Sequence, residues 1–457
     1  MVYQRSPAFL RVISEQLSGC ARAVPEEEGS VMAAKTRLET FRDDQIVVAL
    51  ADLAVVAREL DTLHVRMEEP DRHPRLGLAR LPLDGASIAA AVGELRRDHD
   101  IAGKLTADSS AREARTGGPL APLDELLKGL RLRFARDYDN WLPTFGKNRT
   151  ISKIAGSPHV DGGGVGPPQL TGSSLEPRTA PPQQRSVRVG LLDTKISSHE
   201  WLAGGYLARP GDLLRPQYPY RSTQAHATSV ASRILDRAPG AEVHLRRVLD
   251  DNATADSWDV ATAMAEVAEA GFDVVNLSFG EYFTDDGQPP LVIGTAVQLL
   301  SARSVIVAAA GNHGNVASRP AGTVPPGLTE KSPSYPAALP GVLAVGALDA
   351  DGKPAPFSPK DAPWIRLMAP GVNLTVAYLS GDVLVAAEDG TFRNAQQLRF
   401  AGWAECSGTS YAAGMVTGEI ARRMTRPGIT AREAANQLLR PDPGHSQPDI
   451  REAGPGY

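Results

Sequence analysis

Cysteine is almost missing from this chain. Two residues among 457, Cys20 and Cys406, lie too far apart to read as a disulfide framework, and Cys406 is expected to pack as a small buried side chain. Aromatic residues make up only 5% of the sequence. No run of about 18 apolar residues occurs, which excludes a helical membrane span. Basic residues bring no surplus: 48 Lys and Arg face 53 Asp and Glu, for a net charge of -5. That balance argues against a nucleic-acid partner. Met1 to Leu10 carries Gln4, Arg5 and Pro7 and no apolar leader segment, so the expectation is a cytoplasmic protein with no membrane partner. No loop shows the ligand-rich pattern of a calcium site. Asp250-Asp251 and Asp285-Asp286 are acidic pairs on predicted loops and read as solvated. No metal and no cofactor is expected; a structural calcium stays open with no motif to carry it.

What is present is enough chain for two or three domains and a hydrophobic content of 42%, sufficient for a real core. The abundance of Ala, Gly, Pro and Arg reads as a genomic bias of a bacterial kind. Three composition regimes follow one another. Residues 1–155 are charged and helix-rich. Ile46, Leu50, Leu53, Ala57 and Leu60 recur at helical spacing. Leu63, Val65 and Met67 then alternate with polar residues as a half-buried strand would. Leu76–Leu83 reads as a second strand, placed at an edge by Pro82. A helix over about 86–97 follows, then an amphipathic one carrying Leu123, Leu126, Leu127, Leu130 and Phe134. The sum is a small α+β accessory or prodomain-like region. Residues 156–186 are interrupted by Gly162–Gly164, Pro167, Pro168, Pro177, Pro181 and Pro182 and read as a linker.

From 187 to about 440 the pattern changes. Apolar strands at 187–192, 242–248, 273–277, 305–310, 342–347 and 365–369 alternate with helices starting near 226, 254, 291 and 431. Such alternation predicts an α/β fold, a mostly parallel sheet flanked by helices. Residues 441–457 read as a flexible tail.

Four segments carry chemistry. The strand Val187–Leu192 ends in Asp193-Thr194, and functional residues in parallel sheets gather at the carboxyl ends of strands. A carboxylate there can orient a histidine, and it can equally be a turn residue or helix cap. His226-Ala227-Thr228 opens a helix. The strand 305–310 runs into Gly311-Asn312-His313-Gly314. An Asn amide there can donate to an oxyanion, and the glycines let a substrate approach the backbone. Gly408-Thr409-Ser410 opens an Ala-rich helix, whose dipole favours developing negative charge. A serine needs a base to take its proton; His226 can serve, with Asp193 holding the imidazole.

Taken together, and in the order Asp, His, Asn, Ser, these segments resemble the subtilisin-like serine proteases over about residues 187–440. Supporting similarities are Asn276-Leu277-Ser278-Phe279-Gly280, Tyr335-Pro336-Ala337 and Met368-Ala369-Pro370-Gly371. The resemblance implies a serine endopeptidase with Asp193, His226 and Ser410 as triad and Asn312 in the oxyanion hole. It implies Ser278, Phe279, Gly280, Ala310 and Gly311 as substrate-binding residues and a protein or peptide as substrate. The position of the N-terminal region implies a zymogen, restrained intramolecularly until the linker is cut. Lys195, Ala227 and Tyr411-Ala412-Ala413-Gly414 depart from the family pattern, and a catalytically weak or inactive peptide-binding scaffold is the alternative reading. Asn312 and His226 argue against a serine-carboxyl peptidase, which would need an acidic oxyanion residue and Glu-x-x-x-Asp on a helix.

Overall fold

In the computed structural model the strand register decides the architecture. The residues described are 41–116, 120–153, 165–179, 186–282, 290–318, 328–386, 392, 395–440 and 450–453. The first strand, β1 (Phe41–Ala49), is followed by α1 (Leu53–Thr62), β2 (Asp71–His73), β3 (Leu78–Pro82), α2 (Gly85–Leu95), α3 (His99–Thr116), α4 (Pro122–Asp137) and β4 (Phe145–Lys153). Two sequence expectations fail here. The helical spacing from Ile46 belongs to a strand followed by a separate helix, because Ile46-Val47-Val48 is β-branched and buried on both faces. The expected strand at 63–67 reduces to one bridge between Met67 and Leu83. β3 pairs with β1 on one side and β2 on the other, so it is not an edge strand; Pro82 is tolerated because it ends the strand.

The two faces of this small sheet have different partners. Ile46 and Val48 pack with Leu60, Ile88, Leu126 and Phe134 in a core of their own. Val47, Leu76, Leu78 and Ile151 point the other way, into a core shared with two later helices.

The second half begins after β5 (Gln169–Leu170). It contains β6 (Arg188–Asp193), β7 (Tyr206–Leu207), β8 (Tyr220–Arg221), α5 (His226–Arg237), β9 (Glu242–Arg247), β10 (Thr254–Asp256), α6 (Ser257–Ala270), β11 (Val274–Leu277), β12 (Phe279–Tyr282), α7 (Leu291–Ser301) and β13 (Val305–Ala309). It closes with β14 (Ser334–Tyr335), β15 (Val342–Leu348), β16 (Ile365–Pro370), β17 (Leu374–Val385), β18 (Gln396–Cys406), α8 (Thr409–Met424), α9 (Ala431–Leu438) and β19 (Arg451–Glu452).

The expected α/β layering is borne out. Eight strands run in the order β19-β16-β15-β13-β11-β6-β9-β7, all parallel except β19. Alternating residues of each strand serve opposite faces. Val189, Leu191, Val274 and Val307 pack against α5, α8 and α9, while Leu192, Val275 and Ile306 pack against α6 and α7. The helix read from residue 254 starts three residues later: Thr254–Asp256 is a strand, and Asp256 caps α6 by accepting from Asp259 N–H at 3.0 Å.

Within 156–186, the described part is anchored. Gln169 and Leu170 pair with β18, and Arg178 donates to the Trp201 carbonyl at 2.8 Å and to the Ala203 carbonyl at 2.5 Å. In the tail, buried Ile450 leads β19 onto β16. The described residues belong to one compact unit.

Candidate active site

Asp193 ends β6, flanked by β9 and β11, and is fully buried. Its two carboxylate oxygens lie 2.8 and 2.9 Å from His226 Nδ1, and Thr194 N–H donates to Oδ1 at 2.7 Å. An ionised carboxylate only accepts, so Nδ1 carries the proton and Nε2 is the lone-pair end in the neutral ring. His226 is the first residue of α5, and that first turn is stitched to the Asp193 loop. Ala227 N–H donates to Thr194 Oγ1 at 3.1 Å, and Ser197 N–H donates to Thr228 Oγ1 at 2.9 Å.

Ser410 is the second residue of α8 and is 4% exposed. What sets its level against His226 is glycine. A Cβ on Gly414 would stand 3.2 Å from the Val230 carbonyl oxygen, and one on Gly418 would stand 2.5 Å from the Ile234 carbonyl oxygen. The helices therefore touch backbone to side, and both contacts carry one offset of 184 residues. A constant positive offset means that α5 and α8 run parallel in register. The same offset joins His226 to Ser410 at the two N-terminal ends.

Asn312 follows β13 and is buried. Its Oδ1 accepts from Thr409 N–H at 2.9 Å and from Thr409 Oγ1 at 3.0 Å. With the oxygen committed to the first turn of α8, the amide's donor end is Nδ2, 3.7 Å from where a Cβ on Gly408 would stand. Gly408 has φ +152° and Gly311 φ +110°, values that suit glycine; a Cβ on Gly311 would lie 2.7 Å from His313 Nδ1. His313, singled out only as a neighbour in the sequence, is fully buried between Tyr282 Oη at 3.1 Å and the Ser332 carbonyl at 2.8 Å. The carbonyl can only accept, so Nε2 donates and Nδ1 of the neutral ring takes the tyrosine proton.

Five residues were expected to bind substrate. Gly280 and Phe279 lie on β12, with the Phe279 ring buried in the shared core. The Ser278 hydroxyl is turned inward: it donates to Asn276 Oδ1 at 2.8 Å, and Asn276 Nδ2 donates to Thr417 Oγ1 at 2.9 Å, tying β11 to α8. Ala310 is buried beside Leu348 and Met368, and its N–H donates to the Val345 carbonyl at 2.9 Å. Gly311 N–H donates to Thr409 Oγ1 at 3.2 Å.

Several elements escaped the sequence reading, β17, β18 and α3 among them, and two of these lie along the cleft: β4 and β10. β4 lies between β12 and β10, antiparallel to both. Lys153 pairs with Phe279 and Ser152 with Gly280; on the other side Ser152, Ile151 and Thr150 pair with Thr254, Ala255 and Asp256. The N-terminal region thus lays an extended segment along the strand expected to receive substrate. Ile151 is the single apolar residue between Lys147 and Lys153, so no apolar alternation announced β4.

Residues 184–441 match the family described as the subtilase family. The chain belongs to the subtilase family. This subtilase is 30% identical over 202 residues to a thermostable alkaline protease of Halalkalibacterium halodurans, covering 42% of this chain and 49% of that one. It is 32% identical over 207 residues to subtilisin Savinase of Lederbergia lenta, covering 42% of this chain and 66% of the relative. The chain therefore spans about half to two thirds of the length of these relatives. A solved prenylagaramide maturation protease, PagA, aligns at 25% identity and TM-score 0.41 over 55% of this chain and 82% of its own.

The departures from the family pattern are accommodated. The Ala227 methyl sits in the core. The Lys195 ammonium is 3.2 Å from Asp251 Oδ1. The Tyr411 ring stands 6.2 Å from the His226 ring, and burial, with Cys406 beside it, pushes its phenol well above the usual range, so it stays neutral. Among the described residues, no group of three metal-ligating side chains stands together, and no helix is long and apolar enough to cross a membrane.

Proposed function

We propose that this subtilase is a serine endopeptidase held in check by its own N-terminal region. The observation that carries the reading is His226 Nδ1 held by both oxygens of Asp193, on a helix registered against the helix of Ser410. His226 Nε2 removes the Ser410 hydroxyl proton as Oγ attacks a peptide carbonyl. Asp193 stabilises the imidazolium that results. The oxyanion accepts from Asn312 Nδ2 and from the Ser410 backbone N–H, which belongs to the first turn of α8 where amides lack intrahelical partners. The imidazolium then protonates the leaving amine, and water, deprotonated by the same histidine, releases the acyl-enzyme.

Restraint follows from β4. Its backbone bonds to Gly280 and to β10 are those an extended peptide would make by strand addition. A substrate must displace it. A break in the segment after Lys153, within the expected linker, would let it leave.

The test is labelling by a fluorophosphonate probe, read by intact mass, on the unaltered chain, Ser410→Ala and His226→Ala. Labelling of the unaltered chain that vanishes in both variants is the expected result. Peptide binding without labelling, even after the N-terminal region has been cut away, would replace the enzyme reading by the scaffold reading.

A further inference from the structure

Between the N-terminal region and the sheet lies a cavity of about 910 Å³, lined by Arg42 and Thr150 on one side and by Asp212, Arg246, Asp250 and Asp256 on the other. It is polar and its polar groups are incompletely satisfied. Asp212 is 4% exposed and Oδ2 has no hydrogen-bond partner among the described residues; Arg246 Nε and Thr262 Oγ1, on the same wall, share that condition. Buried polar atoms left this way call for an occupant.

The charges say which kind. Arg246 is already engaged, 3.2 Å from Glu266 and 3.9 Å from Asp212, and Arg247 Nε donates to the Leu249 carbonyl at 3.0 Å. Four carboxylates, Asp212, Asp250, Asp256 and Asp259, line the space. Asp250 accepts from Asn252 N–H and from Thr254, and Asp256 from Asp259 N–H, which leaves Asp212 Oδ2 as the unpartnered acceptor among the described residues. The N-terminal region already offers one cation to them: the Arg42 guanidinium, 60% exposed at the rim, comes within 3.9 Å of Asp256 Oδ2.

Thr150 ties this cavity to the cleft. It pairs with Asp256 across β4 and β10, so the side chain of any extended peptide at this position meets the same space. Threonine leaves most of it unfilled.

We propose that this cavity is a specificity subsite for a long cationic side chain, and that protein substrates carrying Arg or Lys at the position held by Thr150 are preferred. The preference for substrates rests on the endopeptidase reading; the preference of the cavity for a cation does not.

Two arms keep these apart. In the full chain carrying Ser410→Ala, Thr150 is replaced by Arg, by Leu as a size control and by Glu. Arg is expected to raise the unfolding temperature above both Thr and Leu by about 2 °C. The gain should shrink as salt rises from about 0.05 to 0.5 M, and Glu should lower the temperature. In the second arm, the self-processed enzyme is given peptides spanning residues 147–158 with Arg, Thr or Glu at position 150. Arg is expected to raise kcat/KM about fivefold over Thr, with Glu below both. An Arg variant no more stable than Leu, or peptides cut with equal efficiency, would overturn the proposal. Stabilisation by Arg with no peptide cut at all would refute the protease reading and leave the cation site standing.

Discussion

Replacing Ile151 by Ala tests the restraint most directly. Ile151 is fully buried, pairs with Ala255 and belongs to the core that Val47, Leu76 and Leu78 share with α6 and α7. Truncating a buried Ile to Ala costs about 2–5 kcal/mol. On the proposed restraint these contacts hold β4 against the cleft, so the cost falls on docking rather than on the sheet that carries Asp193. A loss near 3 kcal/mol raises the undocked fraction roughly 10²-fold. If a fluorophosphonate reaches Ser410 only when β4 is away, the labelling rate of the intact chain rises by that factor until it meets the rate of the open enzyme. Leu142→Ser, at an exposed position of the N-terminal region, should leave the rate unchanged. The assay is time-resolved intact mass, quenched before the chain is cut. A labelling rate within twofold of the unaltered chain, together with a lowered unfolding temperature, would show that Ile151 stabilises the fold without gating the serine and would refute the restraint.

Gly418→Leu forces a side chain toward the Ile234 carbonyl oxygen, only 2.5 Å from where its Cβ would stand, and should abolish labelling while lowering stability by at least 1–3 kcal/mol, read by denaturant unfolding. Asn312→Ala should lower turnover by about 10²–10³ with KM little changed, because it removes an oxyanion donor; equal turnover would remove Asn312 from the mechanism. Lys195→Ala breaks a half-exposed ion pair with Asp251 and should change stability by less than about 1 kcal/mol, leaving labelling intact. Glu419 is fully buried in α8; burial alone would raise its pKa, but the hydrogen bonds from Arg422 and Arg423 prevail and hold it below its ordinary 4.5. A depressed carboxylate pKa adds stability above the unfolded value that is lost as pH falls through the folded one. Glu419→Gln should therefore lower the denaturant midpoint near pH 7, with the difference from the unaltered chain narrowing below about pH 4.

The proposed triad was legible because each member sits where a strong local pattern ends. β6 (Arg188–Asp193) is apolar from Val189 to Leu192 and Asp193 is its last residue. His226 and Ser410 open helices whose starts are marked by composition. Besides β17, β18 and α3, which went unread, what stayed hidden around the cleft was of two kinds. Short strands lack a period: Thr254-Ala255-Asp256 reads as the beginning of α6 because three residues before a helix cannot alternate long enough to declare themselves. Ile46-Val47-Val48 happened to fall in phase with Leu53 and Leu60, so the 3.6-residue pattern ran across a real boundary. The second kind is tertiary. Nothing local marks Lys147–Lys153 as a strand inserted between two strands of a later region, since its partners lie more than a hundred residues away. The inward turn of Ser278 is equally invisible, because it depends on Thr417 holding Asn276 from across the sheet.

Asn312 joins these two levels. Its side chain has one acceptor end and one donor end, and the fold uses the acceptor to receive Thr409 N–H at the start of α8. That choice fixes how the amide is turned, with Nδ2 lying 3.7 Å from where a Cβ on Gly408, just before α8, would stand. An amide flipped the other way would set an N–H against Thr409 N–H and leave a buried donor unpaired, at a cost of about 1–3 kcal/mol. The proposed oxyanion donor is thus oriented by a requirement of folding that exists before any substrate arrives. Gly414 and Gly418 act likewise on the proposed base and nucleophile, since their contacts with α5 fix helix register whether or not a peptide is bound. A group preorganised in this way does not need to reorganise when charge develops, which is the condition for electrostatic stabilisation of a transition state. The N-terminal region then has no catalytic geometry to create. On the proposed restraint, β4 fills a cleft whose walls are set by the sheet and by α5 and α8, and activation requires only that this strand leave.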